Sequence, residues 1–251
     1  MTEEVTKIEV TVEEETAAEE TPELLPKPTS MDEVKERLTA DRDLTGVDMS
    51  GLNLAGMKFA GMAMPKADLS GADLSGALFA GADASEADLS DTNLSGSKFA
   101  GVSLAKALLR KARMAGSRLM GVSLEGANLD EADLTDSKLM GTSLEGASAK
   151  DTNFTAAKIK GGSLKAADLT GADLTAATIK YVDVTNADFT GADTTGARSA
   201  KVDWSMAKVP PEQLPEAMPE VPEWLPAAIG AAVGVLLILA LISRRKKRKA
   251  A

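Results

Sequence analysis

The chain has 251 residues, with 38 acidic and 28 basic side chains, a formal net charge of −10, and neither His nor Cys. Those two absences exclude Cys nucleophiles, Cys/His zinc centres, His-based triads and structural disulfides. Charge is unevenly spread: residues 1–41 carry 13 acids and 4 bases, whereas the last eight residues, RRKKRKAA, carry six bases and no acid.

Residues 1–29 are rich in Glu and Thr and contain Pro22, Pro26 and Pro28. This is the composition of a disordered acidic tail, with too little apolar surface to bury. Within it KIEVTVEE alternates, placing Ile8, Val10 and Val12 on one side. An alternating stretch can add as a strand to a partner's edge, but a solvated tail is the preferred reading. A basic start followed by an apolar core is missing, so the segment does not read as a secretory signal. Ser30-Met31-Asp32-Glu33 then matches a helix N-cap with Glu three residues on. Val34 and Leu38, four apart, share a face of the helix that follows. The spacing predicts a capping helix over 30–41 that covers whatever comes next.

From 42 to 208 the chain repeats every five residues. Numbers ending in 4 or 9 hold the large apolar residue, in 29 of the 33 positions from Leu44 to Trp204. The exceptions are Ala84, Ala149, Thr194 and Ser199. Two residues earlier stands a small residue, mostly Ala. A period of five matches neither a helix nor a lone strand. A spacing of two puts the small and large residues on one side of an extended segment, and the other three residues suit a bend. Such a unit cannot bury its apolar pair alone and must stack on copies of itself. A second repeat sets the lap: MKFAG at 57–61, ALFAG at 77–81, SKFAG at 97–101, SRLMG at 117–121 and SKLMG at 137–141 recur every twenty residues. Four units therefore complete one coil, and the run makes slightly more than eight coils, about 40 Å of rod at ~4.8 Å per stacked strand.

ADLSGADLSG at 67–76, GANLDEADLT at 126–135 and AADLTGADLT at 166–175 resemble the pentapeptide repeat family, whose consensus is A(D/N)LXX. The resemblance implies an all-β solenoid, a right-handed quadrilateral β-helix with the Leu/Phe and the preceding Ala filling its core. Phe59, Phe79 and Phe99 fall in one inward column, followed by Leu119, Leu139, Ile159 and Ile179. Trp204 is expected to close the last coil, where the core weakens at Thr194 and Ser199.

The same twenty-residue arithmetic sorts the outward charges. The side of Phe59 carries Lys58, Lys98, Arg118, Lys138, Lys158, Lys160, Lys180, Arg198 and Lys201 and no acid. The side of Met49 carries nine acids, among them Asp48, Asp68, Asp88, Asp130, Glu131 and Asp168, against three bases, and the remaining two sides are net acidic. One reading is drift of exterior positions inherited from duplicated coils. The other is docking of an anionic surface: lipid headgroups, an acidic protein or the acidic side of a neighbouring rod. Nucleic acid is disfavoured, because Tyr181 is the lone aromatic on the stripe and the other sides repel phosphate.

Residues 209–223 interleave Pro with Glu and read as a stiff polyproline spacer. From Trp224 to Ser243 no residue is charged. Twenty residues span ~30 Å as a helix, the thickness of a hydrocarbon core. The segment reads as a transmembrane helix with membrane-interface residues Trp224 on one side and Arg244, Arg245, Lys246 and Lys247 in the basic tail 244–251 on the other. Gly230 and Gly234 form a GxxxG pattern that permits helix–helix packing and a homodimer. The missing secretory signal points to a C-terminal, single-pass anchor with the rod facing the cytoplasm; the basic tail after an acidic flank points the other way.

No catalytic constellation emerges, and no cofactor or metal site: the carboxylates form exterior ladders, and a filled rod offers no cleft to shift their pKa values. The expectation is a non-enzymatic, membrane-anchored scaffold presenting a charge-polarised rod to a protein or lipid partner. Two alternatives stand beside it. Some members of the resembled family mimic DNA with acidic rods and act on topoisomerases, so an acidic regulator of a DNA-processing enzyme is one. A cell-surface protein with a C-terminal sorting signal around LPEAM at 214–218 is the other.

Overall fold

A computed structural model describes residues 42–218 together with Glu33 and Glu36. The chain winds into the four-sided parallel β-solenoid that the period implies. Nine strands stack in sequence order into one parallel sheet: β1 (Lys58–Ala60), β2 (Leu78–Ala80), β3 (Lys98–Ala100), β4 (Arg118–Met120), β5 (Lys138–Met140), β6 (Lys158–Lys160), β7 (Thr178–Lys180), β8 (Arg198–Ala200) and β9 (Glu216–Ala217). The register is twenty residues: Phe59 pairs with Phe79, Phe79 with Phe99 and Phe99 with Leu119. The other three sides pair through single bridges at the same interval, such as Asp43 to Ala63, Asp48 to Asp68 and Asn53 to Asp73.

The corners explain why five residues suffice. On the sides of Leu44, Met49 and Leu54 the core residue's carbonyl accepts the N–H three residues on, from Val47 (3.1 Å), Leu52 (3.3 Å) and Met57 (3.1 Å). Such a turn needs a positive φ at its third residue. Every position ending in 1 or 6 from Gly46 to Lys201 has one, between 53° and 69°. Gly fits there without strain. Where the second residue of a unit is Asp or Asn, it supports the same bend. Its carboxylate or amide oxygen accepts the N–H two residues on, as Asp48 does from Ser50, Asp68 from Ser70 and Asp88 from Ser90, each at 2.9 Å. The Asp of the repeat is therefore a turn element.

The core is continuous and dry in character. Phe59, Phe79 and Phe99 stack face to face with ring centroids 4.8 and 4.7 Å apart and planes within 9° and 3°, each contact worth about 0.5–1.5 kcal/mol beyond burial. Eight Ser and Thr side chains are buried among the described residues; two of them, Ser117 and Ser137, have an Oγ with no hydrogen-bond partner, whereas Ser97 in the same column donates to the carbonyl of Leu94 at 2.6 Å. Their neighbours in that column, Ala77, Ala157 and Ala177, need no partner.

The C-terminal end departs from the sequence expectation. Residues 209–218, assigned above to an extended spacer, fold back as a final partial coil. Asp188 pairs with Val209, 21 residues on, and Arg198 with Glu216, 18 residues on, so the register breaks on both sides. The polar residues at core positions are what hold this cap. Thr194 donates its hydroxyl to the carbonyl of Gln213, and Ser199 Oγ accepts from Trp204 Nε1 at 3.3 Å. Trp204, in a 3₁₀ turn (Trp204–Met206), packs edge-on against Phe189 at 5.4 Å and closes the core. At the other end, only Glu33 and Glu36 of the expected capping helix are described, both helical; the rest of it lies outside the described residues, as does the acidic tail.

The membrane location requires correction. No helix among the described residues is long and apolar enough to cross a membrane; they form three-residue strands and turns around a filled core. The segment read as a span, with Trp224, Gly230, Gly234, Arg244, Arg245, Lys246 and Lys247, lies outside the described residues. The bilayer partner and the GxxxG homodimer therefore have no support.

Two substitutions test the packing. A Cβ at Gly162 would run into the backbone carbonyl of Thr142, so Gly162→Ala, although Ala is the usual residue at that repeat position, is expected to destabilise by about 1–3 kcal/mol. Ser117→Ala and Ser137→Ala remove unsatisfied hydroxyls and are expected to stabilise by about 1 kcal/mol each. Thermal melts of the three variants beside the parent protein check both signs.

Candidate interaction face

The fourth side differs from the other three because its backbone runs extended through three residues instead of turning after the core position. The residue after the core position is mostly Ser or Thr on the Met49 and Leu54 sides. On the Phe59 side it is Ala60, Ala80, Ala100, Met120, Met140, Lys160, Lys180 and Ala200. Those are not turn residues, and there the strand continues. Each of β1–β8 therefore buries its middle residue and turns its two flanking residues outward. The result is a flat sheet face with two outward columns.

Eight of the nine bases counted on this side fall on it, and Lys201 sits at the following corner. Lys58, Lys98, Arg118, Lys138, Lys158 and Arg198 share the first column, in direct register except where Leu78 and Thr178 intervene. Lys160 and Lys180 share the second. From Lys98 to Lys158 four cations stand on adjacent strands, about 4.8 Å apart. All are exposed except Lys180, which is half-buried. Among the described residues, none of these eight forms an ion pair. Bases elsewhere on the rod behave differently. Lys66 meets Glu86 (3.8 Å), Arg110 and Lys111 meet Glu131 (2.7 and 3.6 Å), Lys150 meets Asp168 (3.3 Å), Lys165 meets Glu145 (2.8 Å) and Lys208 meets Asp188 (3.0 Å). Most of these pairs run coil to coil. The hydrogen bond from Arg110 holds the Glu131 carboxyl below its usual range, and that to Glu145 raises the Lys165 ammonium.

Like charges in direct cross-strand register oppose folding, so the ladder does not stabilise the rod. Apolar residues also stand on this face, of which the sequence reading named only Tyr181. Met120 and Met140 are in register and stand half out of the surface, 53% and 45% exposed. Tyr181 is 57% exposed at the following corner. Twenty-residue counting would have found the two methionines, had apolar residues been sorted with the charged ones. Glu216, which pairs with Arg198 and ends the basic stripe with an acid, was beyond such counting because the register breaks in the cap.

The opposite side is acidic, with Asp48, Asp68 and Asp88 in register. Each of these carboxylates already serves its own turn. At two turns the carboxyl is held low: the Thr45 hydroxyl lowers Asp43, and the Thr190 hydroxyl, with Lys208, lowers Asp188 to about 2.

Comparison with known proteins agrees with this geometry. The sequence matches the family model for pentapeptide repeats in eight copies between residues 43 and 196. No curated protein matches it. Among solved structures, trypsin-treated QnrB1, a plasmid-mediated fluoroquinolone resistance protein, is 18% identical over 76% of this chain and 95% of its own, with a TM-score of 0.53. HetL of the cyanobacterium Nostoc sp. strain PCC 7120, a pentapeptide repeat protein involved in heterocyst differentiation regulation, is 23% identical over 72% and 97%, with a TM-score of 0.31. At 18% identity the likeness to QnrB1 is one of fold alone.

The lowered carboxylates set an acid limit. Their stability contribution is complete above the ordinary carboxylate range, near pH 4, and is lost as pH falls through the folded values toward about 2 for Asp188. The melting temperature is expected to stay level from pH 7 to about 5 and to fall below that, with a shallower fall for Asp188→Asn, whose amide oxygen still accepts the turn hydrogen bond.

Proposed function

The chain belongs to the pentapeptide repeat family, and from that premise and its sheet face we propose a non-catalytic interaction protein that docks an acidic protein surface. The contact residues are Lys58, Lys98, Arg118, Lys138, Lys158, Lys160, Lys180 and Arg198. One observation carries the reading. Six bases on two other sides, Lys66, Arg110, Lys111, Lys150, Lys165 and Lys208, meet acids of neighbouring coils, whereas the ladder on the flat side is left unpaired and in like-charge register. A rigid array of unpaired charge, on strands rather than loops, costs little ordering on binding and favours partners of opposite sign. Docking would be strong at low salt and would weaken as exposed charges are screened.

A second reading, an acidic rod that regulates a DNA-processing enzyme, is favoured by the stacked Asp48, Asp68 and Asp88 on the opposite side. Their spacing of about 4.8 Å does not match the ~3.4 Å rise per phosphate of one DNA strand along its helix axis, and each carboxylate is engaged by its own turn. The basic face is therefore the preferred site.

The test exchanges charge on one side at a time. Reversing Lys58, Lys98, Arg118, Lys138 and Lys158 to Glu is expected to abolish salt-sensitive retention of the full chain on immobilised poly-glutamate. Reversing Lys66, Lys106, Arg110, Lys111 and Lys150 to Glu changes net charge equally and is expected to leave most of it. Equal loss from both would show net charge at work, and no loss from the first would make the sheet face passive. Inhibition of a topoisomerase that survives the first set and is lost on reversing the three aspartates would favour the second reading.

A further inference from the structure

We propose that the C-terminal end of the sheet face carries an apolar anchor site, so that the segment it docks is an acidic protein stretch bearing a large apolar side chain. The inference rests on the docking role given above to the cation ladder, and adds a specificity element to it.

The corner following the sheet face is glycine in six successive coils, at 61, 81, 101, 121, 141 and 161, each with positive φ. The seventh coil has Tyr181 instead, with φ 54° and 57% of its surface exposed. A bulky residue in the left-handed region is strained, and a ring standing in solvent returns little buried area to the fold. The rod's own stability does not account for Tyr181.

The ring borders an open cleft of about 420 Å³, within the usual size of sites that take a compact apolar group. Val182 and Val184, both buried, form its floor, and Met206, 51% exposed, stands in its wall. Two acids also line it, but both are turned to their own backbone. Asp183 accepts the N–H of Thr185 at 2.9 Å, and Asp203 accepts the N–H and hydroxyl of Ser205 at 3.1 and 2.6 Å. Lys201, exposed at the next corner, lines it as well; the apolar surface offered to an incoming side chain is the Tyr181 ring and the Met206 thioether above the buried valines. Lys180 and Lys160 precede the cleft on β7 and β6, and Arg198 lies beside them on β8. An acidic segment running along the ladder reaches the cleft at its end. Charge alone attracts many partners; an apolar pocket at a fixed distance from the charge selects among them.

The experiment uses the full chain and two fluorescent twelve-residue peptides of alternating glutamate and serine, one with phenylalanine at both ends and one with serine there. The phenylalanine peptide is expected to bind roughly tenfold or more tightly, the effect of burying one large apolar side chain. Tyr181→Gly, which installs the repeat's own corner residue, is expected to erase that preference while leaving the serine peptide's affinity unchanged, and Met206→Ser to reduce it. Lys138→Glu should weaken both peptides alike. Equal affinities for the two peptides, or a preference that survives both Tyr181→Gly and Met206→Ser, would overturn the anchor and leave the ladder standing. Failure of both peptides to bind the parent protein would overturn the anchor and the ladder together.

Discussion

The whole rod depends on one backbone condition: a left-handed residue at every fifth position, with the coil-to-coil hydrogen bonds that this bend makes possible. The bend returns the chain to its own axis after only two inward side chains. It also sets each N–H and C=O against the next coil, as in Met49 N to Asp68 O at 2.7 Å and Asp68 N to Val47 O at 3.0 Å. Backbone polar groups are thus satisfied next to a core that is almost wholly apolar. The cost is local strain wherever the bend is not glycine, and the Asx-type hydrogen bond of the preceding Asp or Asn offsets part of it. Sequence, bend and core are one repeating solution, and a change at any of them is felt by the coils above and below.

The same condition decides where the rod can present a surface. Three sides turn directly after the core residue, so the Asp and Asn of their units are engaged as turn acceptors, and six of their bases fall beside acids of a neighbouring coil. On the Phe59 side the chain stays extended past the core residue, and both flanking positions are released from turn duty. Lys98, Arg118, Lys138 and Lys158 then project in parallel with no carboxylate opposite. The stacked Phe59, Phe79 and Phe99 rings lie directly beneath the first strands of this face, giving it a stiff support. A flat, stiff, unneutralised face is the feature that most separates this side from the rest, and it is why docking is placed there.

The C-terminal end shows how a repeat stops. A solenoid that ended on a full coil would expose core and strand edge together. Here Thr194 and Ser199 replace apolar core residues in the last coil, and both exchange hydrogen bonds with the closing segment. Pro211 and Pro215 are buried in it, and their missing N–H groups suit a segment that finishes a sheet rather than extending it. The register slips of one and two residues in the cap bring Glu216 beside Arg198, and Met206 into the wall of the cleft at Tyr181.

Much of this was legible in the sequence because an uninterrupted five-residue period leaves no freedom of register. The inward columns, the twenty-residue lap, the stacked phenylalanines and the location of Lys58 through Arg198 on one side all follow from counting, since each side chain's direction is fixed by its place in the unit. Counting could not say that the Asp of each unit is engaged by its own turn, nor that one corner is open and three are tight, because those depend on dihedral angles and on the coil above. It failed outright at 209–218. There Pro and Glu suggested a spacer by composition, and the structure instead folds the segment onto the open core, where burying Trp204 and satisfying Thr194 and Ser199 outweigh local preference. The sequence by itself determined the repeat, the core and the side on which each charge lies. Only the tertiary structure decided which charges remain unpaired and how the rod is closed, because pairing and closure are properties of neighbouring coils and not of any single unit.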